Sequence, residues 1–262
     1  MSGRDWRPWV PGRAGRLDGL DPVIGHRGAA ARAPENTLAS LRKAKELGCR
    51  WVEFDVKLSR DGVPFLLHDD LLDRTTSGRG PASDHDFAEL ATLDAGGWFG
   101  PEFRGERLAS LAQALELVLE LGMEANLEIK PCPGRAVETA RTICRALKEL
   151  WPRDRPPPLL SSFELASLRA ARDAAPELPR ALLVTSLPLR WRELMAELAC
   201  VSLNLSHRRT SDITVRGLAA EGVPLLFYTV NDAARATRLF ELGAAAVFSD
   251  APDQIRPPPI QG

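Results

Sequence analysis

In the stretch WVEFDVKL, residues 51–58, Val52, Phe54 and Val56 alternate with Trp51, Glu53, Asp55 and Lys57. Side chains on a strand repeat every two residues, which puts Glu53 and Asp55 on one face roughly 7 Å apart. Like charges side by side repel, and strands disfavour both residue types, so this face calls for a partner of opposite sign. ANLEIK, ending at Lys130, repeats the design with Glu128 and Lys130 sharing a face. His26 and Arg27 follow the apolar run VIG, and His68 follows PFLL. Glu53, Asp55 and Glu128, with no cysteine beside them, suit a hard divalent cation, Mg²⁺ first and Ca²⁺ as the alternative. Mg²⁺ takes few carboxylates and leaves positions for an anionic group. Arg27 and Lys130 supply positive charge for that anion, the arginine in bidentate fashion. A dication, three carboxylates and two cations leave about +1, which matches the single negative charge of a phosphodiester. Two histidines titrating near neutrality serve as general base and general acid.

These residues converge only if the chain folds in a particular way. Strands are expected at 23–28, 51–58, 63–69, 124–130, 158–163, 180–185, 200–205, 223–230 and 245–250, with amphipathic helical segments between most of them. In NTLASLRKAKELG (36–48), Leu38, Leu41, Ala44 and Leu47 share a helical face, and Gly48 is placed to end the helix. SLAQALELVLELG (110–122) and DAARATRLFELG (232–243) have the same design. Parallel neighbours need a crossover of about a dozen residues. Between Leu58 and Val63 there is only SRDG, a tight-turn sequence, so the 63–69 strand must return antiparallel. Setting it aside leaves eight βα repeats, the last with a degenerate helix around APDQIRPP. That is the count of an α/β fold of the (β/α)₈ TIM-barrel type with a small insertion, about 59–105, after the second strand. The division expected is an N-terminal extension (1–22), the barrel domain (23–256) and a non-helical C-terminal tail (257–262).

In such barrels chemistry takes place at the C-terminal ends of the strands, where Glu53, Asp55, Glu128, Lys130, His26, Arg27 and His68 all fall. Aliphatic side chains would pack better at these positions. Tyr228, the one tyrosine, ends a strand and is expected at the rim, either packing or touching substrate. His85 is expected on the surface of the acidic insertion, and His207 outside the pocket.

The chain as a whole excludes several function classes. Its 262 residues, 44% hydrophobic and 26% charged, can bury one sizeable α/β core. A formal net charge of −1 gives no electrostatic support for nucleic acid or a membrane surface as partner. No apolar run approaches the ~20 residues that span a bilayer, and the N-terminal stretch lacks the apolar core of a signal peptide. Cys49, Cys132, Cys144 and Cys200 are widely spaced and are expected as free thiols in a reduced, cytosolic protein.

GHRG followed by APENT, then VEFDVKLSRDGVPFLLHDDLLDRTTSGRG, NLEIKP, FYTVN and VFSD, resembles the glycerophosphodiester phosphodiesterases over about residues 23–253. DAGGWF, LLSSFE and WRELMAELACVSLNLSH look closest to the cytosolic bacterial type encoded with a glycerol 3-phosphate transport system. The resemblance implies a TIM barrel, His26 and His68 as acid/base pair, Glu53, Asp55 and Glu128 as metal ligands, and Arg27 and Lys130 as phosphate contacts. Glu35 and Asn36 match as well, with Asn36 expected to cap the helix that follows. Tyr228 stands where many members carry Trp. The activity implied is metal-dependent hydrolysis of small soluble glycerophosphodiesters to sn-glycerol 3-phosphate and an alcohol, by an enzyme that is monomeric or oligomeric. The alternatives are a lysophospholipase D- or sphingomyelinase D-like enzyme on the same barrel, and a non-catalytic phosphodiester-binding protein.

Overall fold

The computed structural model describes residues 6–256 apart from positions 14 and 18, so the tail at 257–262 lies outside the described residues. A two-stranded antiparallel hairpin, β1 (Trp6–Arg7) and β2 (Arg16–Leu17), comes first. Eight parallel strands follow: β3 (Val23–Gly25), β4 (Trp51–Leu58), β6 (Glu124–Ile129), β7 (Leu159–Ser162), β8 (Arg180–Val184), β9 (Cys200–Ser206), β10 (Leu225–Tyr228) and β11 (Ala246–Ser249). They pair in the order β3-β11-β10-β9-β8-β7-β6-β4, and β4 pairs back with β3, closing a barrel. Helices α1 (Leu38–Glu46), α3 (Leu111–Glu120), α4 (Ala136–Leu150), α5 (Leu165–Ala174), α6 (Trp191–Glu197), α7 (Asp212–Ala220) and α8 (Ala233–Glu241) connect them, with α2 (Phe87–Leu90) in the insertion. A short 3₁₀ turn at Pro252–Gln254 replaces the eighth helix.

The remaining strand, β5 (Pro64–Leu66), runs antiparallel to β4 through Val56↔Leu66 and Leu58↔Pro64, with Gly62 at φ 82 in the turn. The short β3 meets β4 only at Val52, which leaves the upper edge of β4 for β5 to fill. The insertion has a small core of its own, with Phe65, Leu72, Leu90 and Leu108 fully or nearly buried.

Alternation along β4 works as its residue types require. Val52, Phe54 and Val56 face the helical layer with Leu41, Leu115 and Ile143, while Trp51 packs inside the barrel with Ile24, Leu226 and Phe248. At the N-terminal end of the barrel, Trp6 stacks on Trp51 at 5.7 Å between ring centroids. Trp9 is fully buried, and its indole N–H donates to the Glu221 carbonyl at 3.0 Å. Trp6 and Trp9 thus anchor the chain before β3 against the barrel; removing the Trp9 ring would cost about 3–5 kcal/mol. All four cysteines are buried and unpaired, and burial pushes the Cys49 and Cys200 thiols up to about 12, which makes them packing residues. Among the described residues no helix is long and apolar enough to cross a membrane.

Candidate active site

The strand expected over 23–28 stops at Gly25, because the next residues turn back on themselves. Arg27 has φ 50 and Gly28 φ 88, both in the left-handed region that ends a strand. A Cβ on Gly25 or Gly28 would run into Gly28's own carbonyl or into Ser40. This turn aims its N–H groups at β4: Arg27 N donates to Glu53 Oε2 at 2.9 Å and Gly28 N to the Glu53 carbonyl at 3.1 Å. Holding a non-glycine residue left-handed costs of order 1–3 kcal/mol, and here the cost sets Arg27 against the carboxylates.

Glu53 and Asp55 on β4 and Glu128 on β6 are buried, and one carboxylate oxygen from each lies within 4.8 Å of the others. The pairing of β4 with β6 sets Asp55 opposite Glu128 in register, so the cluster follows from strand alignment. Burial, then the charges of Asp55 and Glu128, push Glu53 well above the usual carboxylate range. Burial and Asp55 likewise lift Glu128, to about 7. Burial would raise Asp55 too, but Arg27, Lys130 and His68 outweigh it and hold Asp55 below its ordinary value. Three carboxylates packed this closely against two cations leave Glu53 the hardest of them to ionise. The donor set is all oxygen and fits a hard divalent cation.

Both cations are tied to this cluster. Lys130 Nζ donates to Glu128 Oε1 at 2.8 Å, stands 3.6 Å from Asp55 Oδ1 and lies 5.5 Å from the centre of the Phe163 ring. Arg27 Nη1 donates to Glu35 Oε1 at 2.7 Å and its Nε is 3.4 Å from Asp55 Oδ2. Asn36 does not cap α1, a task that Thr37 performs by accepting from Ser40 N. With φ 57, Asn36 turns inward, donates through Nδ2 to Asp55 Oδ2 at 2.8 Å and accepts from Asp55 N at 3.0 Å. Asparagine tolerates the left-handed region, and a cap residue must be extended, so the amide is free to clamp Asp55.

The histidines stand on either side. His26 Nε2 is 3.9 Å from Glu53 Oε2, while its Nδ1 lies 2.6 Å from Asp250 Oδ1. Asp250, just past β11, is braced by Asn231, whose Nδ2 donates to Oδ2 at 2.7 Å and whose Oδ1 accepts from Asp250 N at 2.8 Å. His68 Nδ1 lies 2.6 Å from Asp69 Oδ1, and His68 shares a cavity with Lys57, Glu128 and Lys130. Burial lowers the His68 pKa, as do Arg27 and Lys130, against the opposite pull of Asp55 and Asp69. In both residues the Nδ1 edge is engaged, which leaves Nε2 for chemistry.

Tyr228 ends β10 at the rim, its ring edge-on to Phe163 and its hydroxyl donating to the Val184 carbonyl at 3.0 Å. The eight residues expected at the site from the sequence (His26, Arg27, Glu53, Asp55, His68, Glu128, Lys130 and Tyr228) thus meet at one mouth. His85 pairs with Glu89 in the insertion at 3.4 Å, and His207 follows β9; neither lines the cavities of the mouth. Sequence reasoning brought Asp69 to the rim with His68 but gave it no partner, and it gave no role to Arg74, Asn231 or Asp250. Asp250 stands at a strand end and Asp69 beside His68; Arg74 and Asn231 are marked only by lying in the stretches LLDRTTSGRG and FYTVN, which say nothing of what they bind.

A model of the glycerophosphoryl diester phosphodiesterase family matches residues 26–254. A glycerophosphodiester phosphodiesterase of Caldanaerobacter subterraneus is 32% identical over 233 residues, covering 89% of this chain and 95% of that protein. A phosphodiesterase of Oleispira antarctica, solved in complex with the product sn-glycerol-3-phosphate, superposes with a TM-score of 0.87 at 42% identity, over 90% of this chain and 95% of that one. A glycerophosphodiester phosphodiesterase of Agrobacterium tumefaciens gives a TM-score of 0.74 at 28% identity, over 90% and 98% of the two chains.

Proposed function

The chain belongs to the glycerophosphoryl diester phosphodiesterase family, and from that premise we propose that it hydrolyses small soluble glycerophosphodiesters to sn-glycerol 3-phosphate and a free alcohol. The observation that carries the proposal is the cluster of Glu53, Asp55 and Glu128 between two histidines, each held through Nδ1 by its own carboxylate. The three carboxylates would hold a divalent cation, Mg²⁺ first and Ca²⁺ as the alternative. When bound, such an ion polarises a phosphoryl oxygen and offsets charge in the transition state.

The protein's own groups do the rest. Arg27 and Lys130 contact the remaining phosphoryl oxygens, and their bonds to Glu35 and Glu128 restrain them before substrate arrives. One histidine takes a proton from the attacking oxygen through Nε2 as the new P–O bond forms. The other gives its Nε2 proton to the alkoxide as the old P–O bond breaks. The attacking oxygen belongs either to water or to the hydroxyl beside the phosphate on the glycerol. Substrates with that hydroxyl replaced by hydrogen separate the two routes, because only the internal route needs it. The same reading puts the enzyme in the cytosol, supported by four buried, unpaired thiols.

A coupled assay for released glycerol 3-phosphate tests the proposal, using several glycerophosphodiesters with Mg²⁺, Ca²⁺, Mn²⁺ or a chelator. Turnover that a chelator abolishes is the expected result. Turnover indifferent to chelation would remove the cation, and binding without turnover under every metal would remove the enzyme.

A further inference from the structure

Two chambers adjoin the carboxylate cluster. The outer one, about 260 Å³, is lined by Lys57, His68, Asp70, Lys130 and Glu164, and it meets solvent at Asp70, whose side chain is 56% exposed. The inner one, about 30 Å³, lies over the barrel interior. Its apolar wall is Leu183, Phe248 and the Phe163 and Tyr228 rings, and its polar side includes Ser161 and Asn204.

Asn204, on β9, is completely buried. Its Oδ1 accepts from Ser202 Oγ at 3.0 Å, and its Nδ2 has no hydrogen-bond partner among the described residues. Leaving a buried amide unpaired costs about 1–3 kcal/mol, and the site would be more stable with an aliphatic residue there. Exchanging the amide's nitrogen and oxygen keeps the Ser202 bond and turns the free atom from donor to acceptor. A hydroxyl group satisfies either orientation. In the same chamber, Ser161 Oγ accepts from Asn126 Nδ2 at 2.8 Å, so its own O–H remains to donate.

We propose that Asn204, with Ser161 lining the same chamber, binds a hydroxyl of the glycerol half of the substrate. This rests on the phosphodiesterase reading above and adds an orientation to it. The half common to all glycerophosphodiesters carries hydroxyls on a short carbon chain; the inner chamber, about the volume of one water, admits one such hydroxyl while the carbon chain rests against its Phe163 and Tyr228 rings. The alcohol that varies from substrate to substrate needs the larger chamber that opens to solvent. Because the Tyr228 hydroxyl already donates to Val184, that residue offers its ring to the carbon chain.

The test compares binding of sn-glycerol 3-phosphate with binding of propyl phosphate, which has the same charge and carbon count but no hydroxyl. Both are titrated calorimetrically against the metal-loaded protein, wild type and the Asn204→Leu and Asn204→Ala variants. Wild type should favour glycerol 3-phosphate by about tenfold or more, and each variant should lose most of that preference while binding propyl phosphate as before. Retained propyl phosphate binding also reports that the variant is folded. An unchanged preference overturns the assignment, as does parallel loss of both ligands or a wild type that does not discriminate. Wild-type turnover of glycerophosphocholine is measured alongside. Its absence would remove the phosphodiesterase reading, whereas normal turnover with unchanged discrimination would remove Asn204 alone.

Discussion

At His26 the Nδ1 edge meets Asp250, whose second oxygen takes the neutral amide of Asn231. At His68 the corresponding carboxylate, Asp69, is gripped by Arg74 through two bonds of 2.6 and 3.0 Å. The same Arg74 donates to both oxygens of Glu35, at 2.7 and 2.8 Å, and Glu35 in turn holds Arg27. The two pairs share one geometry and differ in charge. Among the described residues no arginine or lysine bonds Asp250, which keeps its negative charge for His26 and the interior. The bonds from Arg74 hold Asp69 far below its ordinary range, so it stays ionised, while the guanidinium charge offsets part of its pull on His68. Burial then leaves His68 below its ordinary pKa, neutral around pH 7. A carboxylate beside a histidine therefore has two separable effects, orientation and charge, and this mouth uses them in different proportions on its two sides.

Removing either imidazole is the harshest way to break the comparison. His26→Ala and His68→Ala should each lower kcat by about 10²–10⁴-fold with the fold kept, read as released glycerol 3-phosphate beside circular dichroism. Wild-type turnover in either variant would end its role. Asp250→Asn should cost about 100-fold, because it loses charge and can reverse the tautomer of His26. Asp69→Asn should cost nearer tenfold, since Arg74 already offsets part of its pull. Equal losses would show that charge does not distinguish the two sides. Arg74→Gln should lower kcat less than either and act chiefly on pH dependence. Freed from Arg74, the Asp69 charge favours imidazolium at position 68, so the His68 limb of the kcat/KM profile should move to higher pH; a limb that stays put would dismiss this account of Arg74. The mildest expected effect concerns the carboxylates common to both sides. Folding raises the Glu128 pKa from an ordinary 4.5 to about 7, so the folded metal-free protein binds a proton that the unfolded chain releases. Its stability should be fully present below about 4.5 and fall as pH rises to about 7, with melting lowered by a few degrees. Added Mg²⁺ or Ca²⁺ should restore melting most at the high end of that window, since the ion needs the proton gone. Metal-free melting that rises between those pH values would contradict the raised pKa.

Much of this site is legible in the amino-acid sequence because strand alternation is a local rule. Two-residue spacing is enough to put Glu53 with Asp55 and Glu128 with Lys130, and SRDG is enough to turn the chain back so that His68 reaches the rim. Asn36 shows where local reading misleads. An asparagine just ahead of a helix has the type of a cap, yet Thr37 takes that place and Asn36 clamps Asp55, 19 residues away. Asp250 is harder still, because its partner His26 lies 224 residues earlier and meets it only when β11 closes the barrel on β3. Nothing in a sequence period reports that distance.

The amino-acid sequence by itself determined the eight-fold βα repeat, the antiparallel excursion and the carboxylate face, since each depends on periodicity and turn chemistry within a few residues. Only the closed barrel decided that Asp250 serves His26, that Arg74 joins Glu35 to Asp69, and that Asn204 lines the mouth with an amide atom to spare. Those pairings join residues from separate strands and loops, which come within bonding distance only once the barrel has closed.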